Sequence, residues 1–167
     1  MLRKNRSSVA ILTGNETPED YQKLAIDIFS YFGLGCRNVS KVYVPESYDF
    51  TTMFENLNAF SFVIDHNKYA NNYTYHKSIF LMNLTKHLDN GFMMVKEDKS
   101  ISSPLSALFY EAYSSKEELK SELELRKEEI QCIVGNSNEY IPFGQSQFPE
   151  WSDYADGVDT MAFLVSI

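Results

Sequence analysis

One cysteine of this chain follows a pair of glycines, and this spacing is typical of a thiol placed to do chemistry. An amphipathic segment runs into Gly33-Leu34-Gly35, Cys36 follows directly, and a short β-rich run comes next. Glycine lets the backbone turn sharply where a residue with a Cβ atom would be strained. A thiol held on such a turn can attack a carbonyl carbon and hold an acyl group as a thioester. The pattern therefore predicts that Cys36 is a nucleophile at the edge of a sheet.

A plainer interpretation stands beside this one. Free cysteine is among the most buried residue types, so Cys36 could instead be a small core residue. The Gly-x-Gly-Cys turn between a helix and a strand favours the nucleophile. The second cysteine, Cys132, lies within an apolar run over 130–134 and is predicted to belong to the core.

The other residues that could carry chemistry favour structural roles. The histidines have charged neighbours, which predicts solvated rather than catalytic side chains: His66, His76 and His87. Three aspartates near the C-terminus are spaced three apart, but the run lacks the glycine and terminal glutamate of a calcium loop. We expect these to be helix caps and a helix face: Asp153, Asp156 and Asp159. With no Cys-x-x-Cys pair, no metal site is predicted.

The composition is that of one folded domain. The chain has 167 residues, of which 44% are hydrophobic, which suits a single core. The formal net charge of -8 disfavours non-specific binding to nucleic acid or to an anionic membrane surface, because both need a positive patch. No apolar run approaches the ~20 residues that span a bilayer. Two cysteines are few for a disulfide-stapled secreted domain, and no apolar stretch typical of a signal peptide is present. We therefore expect a cytoplasmic location.

Periodicity and turn signals predict the elements that must position Cys36. A buried strand is predicted over 9–12, and a helix begins at Pro18, capped by Thr17, and stops at Gly33. A strand over 41–44 follows the cysteine. Other helices are predicted within 50–62, over 75–84 after a turn at 71–72, and over 115–129. Other apolar segments are strands over 92–95 and 130–134, a run over 105–110 and a last element over 158–165. This alternation predicts an α/β layered domain.

Several of these segments, in this order, resemble the aldehyde dehydrogenase superfamily. In that superfamily a strand, an acidic helix, a Gly-x-x-Cys turn and a second strand surround the nucleophile. The matching segments here are 7–12, 19–20, 32–36 and 42–44. Ile141-Pro142-Phe143-Gly144 is similar to the Pro-Phe-Gly turn near the end of those enzymes.

A closer resemblance is to the LuxC-type acyl-CoA reductases, a branch of that superfamily. Residues 27–41 and 153–160 carry it. The resemblance implies a single aldehyde dehydrogenase-like catalytic domain over 1–167, three-layered with a mostly parallel sheet. It also implies that the Cys36 thiolate attacks an acyl-CoA or acyl thioester, that coenzyme A leaves, and that a hydride from NADPH reduces the acyl-enzyme to an aldehyde.

Supporting roles follow from the same resemblance. Backbone N–H groups at Gly35 and Cys36 would help to stabilise the oxyanion. Arg37 would support the thiolate or a coenzyme A phosphate, or it is a surface arginine; the sequence leaves both open. Glu97, ahead of Pro104, is the nearest candidate for the family's ribose-contacting glutamate.

Other parts of the family pattern are missing from this chain. It has no Gly-x-Gly-x-x-Gly fingerprint. The resemblance implies that an upstream nucleotide-binding domain would bind NADPH and that the general-base glutamate also lies upstream. The chain is therefore expected to be a catalytic C-terminal portion, nearly inactive alone, whose partner is that upstream half or a second copy. The alternative is a truncated, non-catalytic domain that acts as an interaction or assembly module.

Overall fold

The computed structural model describes residues 6–151, 153–154 and 158–166, which form alternating strands and helices. The strands are β1 (Ser7–Ile11), β2 (Val39–Pro45), β3 (Leu88–Asp89), β4 (Met94–Glu97), β5 (Ala107–Tyr113) and β6 (Ile130–Gly135). The helices are α1 (Pro18–Phe29), α2 (Thr51–Leu57), α3 (Asn67–Met82), α4 (Lys116–Leu125) and α5 (Thr160–Val165). Two 3-10 segments, Ser30–Gly33 and Asn58–Asp65, follow α1 and α2.

The strands form one sheet in the order β3-β4-β5-β2-β1-β6. Neighbouring strands are parallel except β3, which pairs antiparallel with β4. In register, Ala10 of β1 lies opposite Val42 of β2, and Val42 lies opposite Tyr110 of β5. The predicted α/β class, with a mostly parallel sheet, is confirmed.

Helices cover both faces of this sheet because its central strands are apolar on both sides. On one face, Ala10 and Val42 share a core with the inner sides of α1 and α2. On the other face, Val9 and Tyr43 share a second core with Leu119 of α4. Side chains along β1 and β2 point alternately to the two faces of the sheet, so both faces pack against helices. The result is three layers: helices, sheet and helix.

The N-terminus of α1 forms as its sequence predicts. The Thr17 hydroxyl accepts from the Asp20 N–H at 3.2 Å, and the Asp20 carboxylate accepts from the Thr17 N–H at 2.9 Å. This reciprocal capping box satisfies two N–H groups that have no partner within the helix. Pro18 fits the first turn because it has no N–H to satisfy.

The C-terminus of α1 differs from its prediction. The α-helix ends at Phe29 rather than at Gly33, and residues Ser30–Gly33 take another path. The physical reason is a side chain from β2's entry turn. The Asn38 amide donates to the carbonyl oxygens of Asp27, Ile28 and Ser30, so these groups have a partner other than a next helical turn.

The predicted turn at 71–72 is wrong, since α3 runs through both asparagines. Tyr69, Tyr73 and Phe80 are buried on one side of α3, and that packing outweighs the weak helix propensity of asparagine. Asn72 is accommodated because its side-chain amide donates to the Lys68 carbonyl at 2.8 Å. The predicted helix over 115–129 is shorter in the structure, where α4 ends at Leu125.

Candidate functional site

Cys36 lies in a turn that enters β2 from its amino end. The Asn38 N–H donates to the Gly35 carbonyl at 3.0 Å, which closes the turn with Cys36 and Arg37 in its middle. The Cys36 thiol is exposed. Ligands of open parallel sheets usually bind at the carboxyl ends of the strands. This thiol therefore lies at the opposite edge, and any site around it must be built by segments of the amino edge.

The backbone that leads to this turn is unusual. Tyr31 (φ 52°, ψ 29°) and Phe32 (φ 58°, ψ 26°) are both left-handed, and Gly33 follows at φ 77°. A left-handed residue with a Cβ atom costs roughly 1–2 kcal/mol, and such strain is concentrated at functional sites. The Phe32 ring stacks on the exposed His66 ring, with centroids 4.2 Å apart. Packing from α3's entry thus helps to hold a conformation that the local sequence disfavours.

Asn38 connects this strained segment to the cysteine turn. Its side chain is 3% exposed. Its amide nitrogen lies 3.1, 3.2 and 2.8 Å from the carbonyl oxygens of Asp27, Ile28 and Ser30. Its amide oxygen accepts from the Gly35 N–H at 2.8 Å. One buried side chain therefore satisfies groups on both sides of the left-handed segment.

Gly35 is needed for this contact. A Cβ atom at Gly35 would lie 2.8 Å from the Asn38 amide oxygen, closer than van der Waals contact allows. The same bond engages the Gly35 N–H, so in this arrangement that group is not free to meet a substrate oxygen. Within the residues that the structure describes, the Cys36 and Arg37 N–H groups donate to no protein acceptor. These two amides are the N–H groups that the turn leaves open.

Arg37 points its guanidinium toward the C-terminal segment, meaning residues 144–146 and Asp153. Its Nε donates to the Ser146 carbonyl, and its Nη2 lies 3.6 Å from the Asp153 carboxylate. The side chain is 14% exposed, so it is not an ordinary surface arginine. Arg37 joins the cysteine turn to residues more than a hundred positions later in the chain.

A buried carboxylate makes the second connection to the same segment. Asp27 of α1 is fully buried and accepts from the Gly144 N–H at 2.6 Å and from the Ser146 N–H at 2.9 Å. Burial raises the pKa of Asp27, although these hydrogen bonds oppose the shift. The Pro142-Phe143-Gly144 turn is therefore tied to α1 beside the cysteine turn.

Asn38 and Asp27 are site residues that sequence reasoning missed. Asp27 carried a signal, because it is a carboxylate beside Ile28 on the apolar stripe of α1, three residues after Leu24. A polar residue on a buried stripe needs a partner, and the partner here is the backbone of 144–146. Asn38 carried no comparable signal, because asparagine is ordinary in a turn.

The two cysteines are linked through one serine. The buried Ser8 hydroxyl lies 3.2 Å from the Cys36 carbonyl oxygen and 3.0 Å from the Cys132 sulfur. Cys132 is half-buried on β6, the last strand of the sheet, rather than within the core as predicted. An edge strand is covered on fewer sides, which explains this difference. Burial raises the pKa of the Cys132 thiol above its ordinary value of 9.0.

Glu97 is not brought to the cysteine turn. It is exposed at the end of β4 and lies opposite Tyr110, which lies opposite Val42 in β2. It lines an open cavity of about 430 Å³ together with Tyr48 and Tyr110. Cys36 does not line that cavity. Strand β5 lies between β4 and β2, and Glu97 is at the carboxyl end of β4 whereas Cys36 precedes the amino end of β2.

The remaining candidates from the sequence are the possible metal ligands and the C-terminal aspartates. Among the described residues, no group of three or more His, Cys, Asp and Glu side chains is arranged to hold a metal ion. Asp159 caps α5, accepting from the Ala162 N–H at 2.9 Å, as predicted. Asp156, and with it part of the matched segment 153–160, lies outside the described residues.

Comparison with models of known protein families gives no match for this chain, and comparison with curated proteins gives none. No helix in the described part of the chain has the length and apolar character needed to cross a bilayer. The site must therefore be interpreted from its own geometry.

Proposed function

We propose that this chain is the catalytic portion of an acyl-CoA reductase with an aldehyde dehydrogenase-like fold, in which Cys36 carries the acyl group. The observation that supports this most is an exposed thiol on a turn that the buried side chain of Asn38 holds in place. Three successive left-handed residues precede it. Strain of this kind persists only where the surrounding structure over-determines it.

The acyl-transfer step uses groups of this chain. The Cys36 thiolate attacks the thioester carbonyl carbon, a new carbon–sulfur bond forms, and the bond to coenzyme A breaks. The coenzyme A thiolate leaves and takes up a proton. One thioester replaces another, so the intermediate is not a deep energy minimum. The open N–H groups of Cys36 and Arg37 would stabilise the oxyanion of the tetrahedral intermediate.

The reduction of the acyl group needs NADPH, and the described residues do not fit that cofactor at Cys36. Glu97, the candidate ribose contact, lines a cavity that excludes the cysteine, and no glycine-rich dinucleotide fingerprint occurs in the sequence. In this proposal a nucleotide-binding domain outside this chain holds the cofactor. The same proposal includes a reducing, cytoplasmic location. A reducing compartment keeps the thiol unoxidised, and its thiolate is the reactive form.

Intact-mass spectrometry of the chain after incubation with a long-chain acyl-CoA tests the proposal. We expect the addition of one acyl group, its loss in Cys36→Ala, and its retention in the matched control Cys132→Ala. Hydroxylamine should remove the label, because thioesters react with it readily. An acyl label that persists in Cys36→Ala would refute the assignment.

The second candidate is a non-catalytic interaction module. Exposed apolar side chains favour it: Leu34, two residues before Cys36, is 73% exposed, and Trp151 is fully exposed. Large exposed apolar groups often mark a surface that another protein covers. Light scattering of the isolated chain discriminates the two, because self-association without acyl loading supports the module. A monomer with an unreactive Cys36 counts against both candidates.

A further inference from the structure

We propose that Asn38 is the positioning residue of the Cys36 turn. Its role in catalysis depends on the proposed acyl transfer, whereas its role in holding the turn does not. Asn38 itself touches no substrate in this proposal. It acts through Gly35 and Cys36, by keeping the thiol and the two open N–H groups in one fixed relation.

Both ends of the turn depend on this one residue. The Asn38 backbone N–H donates to the Gly35 carbonyl at 3.0 Å, and the Gly35 N–H donates to the Asn38 side-chain oxygen at 2.8 Å. These two bonds form a closed ring around Cys36 and Arg37. Removal of the side chain opens the ring on one side and leaves the Gly35 N–H without its acceptor.

The other half of the Asn38 amide holds the end of α1. Its nitrogen donates to three carbonyl groups at 27, 28 and 30, just before the left-handed residues Tyr31 and Phe32. Tyr31 and Phe32 would relax to ordinary backbone angles if no surrounding contacts held them in place. The donor bonds of Asn38 are therefore expected to keep the approach to Cys36 in its strained path.

The expected consequence is selective for acyl transfer. A displacement of about 1 Å at a reacting group can cost about a hundredfold in rate, because the attack requires alignment. Asn38→Ala should therefore slow acyl loading from a long-chain acyl-CoA about a hundredfold. Alkylation of Cys36 by iodoacetamide should change less than about threefold, because that reaction depends mainly on thiolate content and exposure.

Two variants separate positioning from general destabilisation. Asn90→Ala removes a side-chain oxygen that accepts from the Phe92 N–H at 3.2 Å and from the Met93 N–H at 2.9 Å, in the β3–β4 hairpin. It loses comparable turn bonds away from Cys36, and its acyl loading should match that of the wild type. Asn38→Asp keeps an acceptor for Gly35 but loses the donors. Its acyl loading should also be slow.

Amide hydrogen exchange at Gly35 gives a readout that does not depend on acyl chemistry. Exchange at Gly35 should accelerate at least about tenfold in Asn38→Ala and stay unchanged in Asn90→Ala, because only the first variant removes its acceptor. If the wild type accepts no acyl group, the proposed function fails, and this exchange still decides the role of Asn38. Unchanged Gly35 exchange in folded Asn38→Ala, or in Asn38→Leu should the alanine variant not fold, overturns the proposal, because both substitutions remove the side-chain acceptor. So does unchanged acyl loading of either variant when the wild type is loaded.

Discussion

The two cysteines of this chain lie near each other and yet have opposite surroundings. Cys36 is an exposed residue of a turn held by Asn38, whereas Cys132 is a half-buried residue of the edge strand β6. Ser8 contacts both, through the backbone of the first and the sulfur of the second. Two residues of one type thus differ in exposure, and we expect them to differ in reactivity. The turn makes one thiol accessible, and burial raises the pKa of the other.

Among variants around the cysteine turn, removal of the Asp27 carboxylate should lower the stability of the protein the most. Asp27→Ala leaves two buried N–H groups, of Gly144 and Ser146, without an acceptor. Each such group costs about 1–3 kcal/mol, so the free energy of unfolding should fall by about 2–5 kcal/mol. Urea denaturation measures this change.

Asp49→Ala is the matched control for that experiment. Asp49 also accepts from two donors, both of Thr51, but it is exposed. Water replaces the lost acceptor there, so its loss should be much smaller. Equal losses in the two variants would contradict the idea that Asp27 docks the C-terminal segment.

The stability of the protein should also change with pH, because the buried Asp27 carboxyl titrates. Burial raises the pKa of Asp27 above its ordinary value of 3.8. The folded state therefore binds this proton more tightly than the unfolded state does, and the associated stabilisation is present at low pH and is lost as the pH rises through the folded pKa. Relative to Asp27→Asn, which does not titrate, the wild type should gain stability as the pH falls from 7 toward 4. A constant difference across this range would count against a buried, titrating Asp27.

Alkylation should distinguish the two thiols directly. At pH 8 we expect iodoacetamide to modify Cys36 at least about tenfold faster than Cys132, because burial raises the Cys132 pKa and limits access. Peptide mapping by mass spectrometry measures both rates in one sample. In urea the two rates should converge. Equal rates in the native protein would remove the basis of the comparison.

The left-handed backbone before Cys36 predicts a smaller, stabilising effect. Tyr31 is 71% exposed and has φ 52°. Asparagine tolerates the left-handed region better than tyrosine does, so Tyr31→Asn should raise the free energy of unfolding by up to about 1 kcal/mol. The control is Tyr75→Asn, since Tyr75 is also exposed but lies within α3. There asparagine lowers helix propensity, and stability should fall by a few tenths of a kcal/mol, roughly.

Local sequence signals predicted much of the frame that carries the site. The capping box at Thr17, the apolar stripe of α1 and the apolar runs of β1 and β6 act between near neighbours, so a pattern reveals them. The glycines ahead of Cys36 likewise predicted a turn with the thiol on it. The structure has that turn, and the thiol is exposed.

The contacts that complete the site lie beyond such patterns. The Asp27 bonds join residues 117 and 119 positions apart, and Arg37 contacts a carbonyl 109 positions later. Strand order decides which loops meet at one edge, and the sequence pattern does not specify that order. For the same reason the position of Glu97, away from the cysteine turn, became clear only from the register of β4 with β5.

We propose that Cys36 accepts an acyl group because its turn holds the thiol ready for attack. The direct test is the mass of the intact chain after incubation with a long-chain acyl-CoA, with the modified residue located by peptide mapping. We expect one hydroxylamine-sensitive acyl group on Cys36 and none on Cys132. An unmodified chain, or a label on Cys132 alone, would contradict it.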